Sequence, residues 1–65
     1  MDNKVKELVE EYHSLMQAGL NELPDIEVAE EYFSDACYVL NQIQDKQITQ
    51  QLEQYYSINP RDFAQ

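Results

Sequence analysis

Apolar residues recur at three- and four-residue steps in three stretches of this 65-residue chain, the pattern of helices that each bury one face. In the first stretch Val5, Leu8, Val9, Tyr12, Leu15 and Met16 form the stripe, and Glu7, Glu10, Glu11 and Ser14 fall on the opposite side. Asp2 or Asn3 is placed to cap this helix and Gly19 to end it, which leaves Gly19 to Pro24 as the connection. In the second stretch Asp25, directly after Pro24, is the expected N-cap, and Glu27 lies close to the amino-terminal dipole.

The seam of that second helix reads Ile26, Ala29, Phe33, Ala36, Leu40 and Ile43, and Val28, Tyr32 and Val39 widen it on one flank. An arc broader than the stripe of about 100° that serves one neighbour implies contact with two elements, so this should be the central helix. Beyond Ile43 the spacing next demands apolar residues at 47 and 50, yet both are Gln, and the pattern resumes out of phase at Ile48, Leu52, Tyr55 and Tyr56. A break around Gln44 to Lys46 with Asp45 as cap accounts for this, giving a third helix to about Ser57. One unbroken helix from Ile26 to Ser57 is the competing reading, because no Gly or Pro enforces the break. Asn59 and Pro60 then end the regular structure, with Asn59 capping a last turn through Asp62 that docks Phe63. The expected fold is all-α: a single helical domain over 1–65, a small three-helix bundle of approximately 3–18, 25–43 and 46–57 with a short C-terminal turn.

Charge changes this picture from an anonymous bundle to one with a marked face. The formal charge is −9, and from Glu7 to Asp45 there are ten carboxylates and no Lys or Arg. All four basic residues, Lys4, Lys6, Lys46 and Arg61, lie outside that window. A one-signed field of this kind attracts basic surfaces and repels nucleic acid and anionic bilayers, which need a cationic footprint. Like charges are stacked four apart at Glu7/Glu11, Glu27/Glu31 and Glu31/Asp35, each costing an isolated helix about 0.2–0.5 kcal/mol. Solvation alone accounts for many acidic faces. A docking surface for a cationic partner is the functional alternative, and Tyr38, placed by helical geometry among Glu27, Glu31 and Asp35, favours it.

Residues 7–21 and 27–41 also echo one another at an offset of twenty, matching Glu7/Glu27, Glu10/Glu30, Glu11/Glu31, Tyr12/Tyr32, Ser14/Ser34, Leu20/Leu40 and Asn21/Asn41. Two amphipathic acidic helices resemble each other without duplication. What matters physically is that each carries the same triplet of carboxylates away from its seam.

Other chemistry is thin. Glu10-x-x-His13 has the spacing of a di-iron helix motif, but such a site needs a second copy, and the echoed position is Phe33; His13 reads as a partly exposed structural residue. Cys37, the only cysteine, reads as a core filler with no base placed to activate it. No glycine-rich phosphate loop or zinc-type ligand set occurs, so no metal, no cofactor and no catalytic residue are expected. The amides Gln42, Gln44, Gln47, Gln50, Gln51 and Gln54 leave the third helix nearly neutral outside, a solvated surface or, alternatively, a homodimer contact free of repulsion. A lone thiol, no apolar leader and no apolar run of about 20 residues point to a soluble cytoplasmic protein without membrane contact.

The expected function is a non-enzymatic acidic binding protein that docks on a basic site of a partner protein through Glu7, Glu10, Glu11, Glu27, Glu30, Glu31, Asp35 and Tyr38. Its sharpest form is a phage- or plasmid-type inhibitor of a nucleic-acid-binding protein that mimics nucleic-acid charge without itself touching nucleic acid. The rival is a homo-oligomeric assembly or regulatory subunit whose acidity serves only solubility and whose Tyr55, Tyr56 and Phe63 are buried against another chain.

Overall fold

The computed structural model describes residues 3–63. Helix α1 spans Asn3–Glu22, α2 spans Ile26–Gln42, α3 spans Lys46–Tyr55, and a 3-10 turn, Pro60–Phe63, closes the chain. The architecture is the expected three-helix bundle. Its long axis of 35 Å follows from α1, whose twenty residues rise about 30 Å at 1.5 Å each.

Local chemistry sets most boundaries. The Asp25 carboxylate accepts from the Val28 N–H at 3.5 Å, and Asp45 accepts from the Gln47 and Ile48 N–H groups at 2.9 and 3.3 Å. Each cap satisfies amide donors that the first helical turn cannot pair internally. The interruption between α2 and α3 therefore lies at 43–45, one residue before the expected place, and the single long helix is not formed. Asn59 supports the terminal turn: its side chain accepts from the Arg61 N–H at 3.0 Å and its carbonyl from the Asp62 N–H at 3.1 Å.

Gly19 does not end α1. The helix runs through it to Glu22, and the glycine is buried. The reason is tertiary: a β-carbon at position 19 would stand 2.6 Å from Cε1 and 2.9 Å from Cδ1 of Phe33, so a bare backbone is what admits the ring. The helix stops instead before Leu23, ahead of Pro24, which disfavours helical geometry in its predecessor. The proposed Asp2 cap lies outside the described residues, and Asn3 is within the helix rather than capping it.

The core is one contiguous cluster. Leu8, Tyr12 and Met16 of α1 meet Ala29, Phe33, Ala36, Val39, Leu40 and the following Ile43, and Leu52 of α3 joins them. Val5, Val9, Leu15, Leu20, Ile48, Tyr56, Ile58 and Phe63 pack around it half-buried. Helix α2 is central as its broad arc implied, packing against both α1 and the terminal turn, where the Phe63 ring lies 5.0 Å from that of Phe33 and Pro60 is fully buried. Two seam positions depart from expectation. Ile26, the first residue of α2, is 45% exposed, and Tyr55, the last of α3, is 70% exposed. Helix α3 ends at Tyr55, two residues early, because Tyr56 turns extended (φ −105°, ψ 158°) and directs its phenol to α1.

Candidate functional site

All eight residues of the expected docking face, Glu7, Glu10, Glu11, Glu27, Glu30, Glu31, Asp35 and Tyr38, are exposed. Half of them line a common groove. Glu27, Glu30, Glu31 and Asp35 come together along α2, where with Ser34 and the Phe63 ring they line an open groove of about 600 Å³. None of the chain's lysines, nor Arg61, lines it. Tyr38, 69% exposed, stands on α2 one turn beyond Asp35 and outside the groove.

Glu7, Glu10 and Glu11 do not line that groove. They occupy the side of α1 opposite Leu8, Tyr12 and Met16, the residues that face the core shared with α2. Each acidic row lies off its own helix's buried stripe, and none of the three α1 carboxylates lines the α2 groove. The distinction is invisible to a comparison of the two helices in isolation, where the rows look alike.

Ser34 and Phe63 are the members of this groove that the expected acidic docking face did not include, and of the two Phe63 changes its chemistry. Its spacing showed only that it docks. The terminal turn then sets it beside α2, one part against Phe33 and one part facing the carboxylates. Arg61 of the same turn donates through Nη1 to Asn41 Oδ1 of α2 at 3.0 Å and forms an ion pair through Nε with Glu53 of α3. That pair holds the guanidinium pKa above its ordinary value, chiefly through the hydrogen bond to Glu53. The chain's own arginine thus engages a carboxylate of α3 rather than those of the groove.

A second cluster joins α1 to the end of α3. Tyr12 is fully buried and its hydroxyl donates to the Leu52 carbonyl at 3.1 Å. Burial, reinforced by Tyr56 and Glu53, pushes its phenol up to about 12. His13 Nδ1 and the Tyr56 hydroxyl are 2.7 Å apart, an arrangement in which the phenol donates when the ring proton sits on Nε2. The imidazole also meets the Tyr55 ring edge to face at 5.0 Å, and burial and Tyr55 raise the Tyr56 pKa. His13 is half-buried and bonded, in keeping with a structural role. Tyr56 and Phe63, which the oligomer reading reserved for another chain, pack against this chain's own core.

Cys37 is buried with a free thiol between core positions. Among the described residues, no group of three or more His, Cys, Asp or Glu side chains could hold a metal ion. Every buried side-chain nitrogen or oxygen among them has a hydrogen-bond partner, and none of their helices is long and apolar enough to cross a membrane. No protein-family model, curated protein or solved structure matches this chain.

Proposed function

We propose that this chain is a non-enzymatic binding protein that presents the carboxylates of α2 to a basic site on a partner protein. The observation that carries the reading is the α2 groove: four exposed carboxylates gathered around an aromatic ring, with no lysine or arginine of the chain lining it. Stacked like charges weaken an isolated helix, and an opposite charge on a partner relieves that repulsion while steering encounter. An open, carboxylate-rich groove is the wrong lining for a small apolar ligand, which selects enclosed and mostly hydrophobic walls.

The sharpest form of the proposal is an inhibitor whose acidic row stands in for the phosphates of a nucleic acid and occupies the site of a nucleic-acid-binding protein. Glu7, Glu10 and Glu11 do not line the groove, so the α2 row is the part of the acidic face on which this reading leans most.

The test is affinity capture from the source cell with the intact chain and with a variant carrying Glu27→Lys, Glu31→Lys and Asp35→Lys. The expected result is recovery of a cationic protein at low salt, loss of recovery at high salt, and loss of more than tenfold in the variant with helicity unchanged. Equal recovery by the variant overturns the proposal.

A further inference from the structure

We draw no further inference here: the strongest candidate, the open groove between the α2 carboxylates and the Phe63 ring, is an acidic cluster that belongs to the site already described, and no second feature in it names a ligand.

Discussion

The α1–α2 hairpin and helix α3 are both amphipathic, yet they are held in place by different forces. In the hairpin, Phe33 closes onto the bare backbone of Gly19, and Met16, Ala29, Ala36 and Leu40 are buried around them. Helix α3 contributes Leu52 and half-buried Ile48 to the core, and is otherwise fastened by side-chain links: Tyr12 to the Leu52 carbonyl, His13 to Tyr56, and Arg61 to Glu53. Close packing is dense and intolerant of volume change, whereas a hydrogen bond or surface ion pair contributes only about 0–1.5 kcal/mol net. The carboxylates of the candidate groove stand on α2, within the closely packed hairpin, and the terminal turn adds Phe63.

The largest effect expected from breaking this contrast is at Phe33. Phe33→Ala removes a fully buried ring and should cost about 3–5 kcal/mol, enough to unfold a domain of this size; a urea titration followed by circular dichroism reads it. Alkaline titration comes next and tests α3. The Tyr12 phenol ionises near 10 in the unfolded chain and near 12 in the folded one, so the unfolded state sheds its proton first. Stability is unaffected below pH 10 and falls as pH rises towards 12, by about 1.4 kcal/mol per unit for this group. Tyr12→Phe should flatten that slope, and thermal melts across the window measure it.

Gly19→Ala should cost about 1–2 kcal/mol. Displacing the Phe33 ring opposes a gain of up to about 1 kcal/mol in helix propensity, and a stabilised variant would show that the glycine is not there for the ring. The smallest effect is at the surface. Glu53→Gln should change stability by less than about 1 kcal/mol, because the pair with Arg61 is partly exposed, and the change should shrink further in high salt.

Much of the architecture was legible because it is local. Asp25, Asp45 and Asn59 act on amides two or three residues away, so each could be recognised without knowing the fold. The out-of-phase restart at Ile48 marked the break between α2 and α3 for the same reason. Gly19 was misread because the property that matters, the approach of Phe33, involves residues fourteen positions apart, while the chain alone shows only a residue with weak helix propensity. The placement of Phe63 was half visible: the Asn59-Pro60 signal located the turn, but not which edge of α2 would receive it.

The same division holds for the candidate site. Periodicity and composition alone determined that three helices form, that each keeps its acids off the seam, and that the molecule is strongly anionic, since these depend on spacing along one helix and on a sum of charges. Only the tertiary structure decided that the α2 acids line a groove which Glu7, Glu10 and Glu11 do not join, and that an aromatic ring borders it. Those are relations between elements, governed by which seams interlock, and a side chain's angle around its own axis does not specify the orientation of its neighbour's.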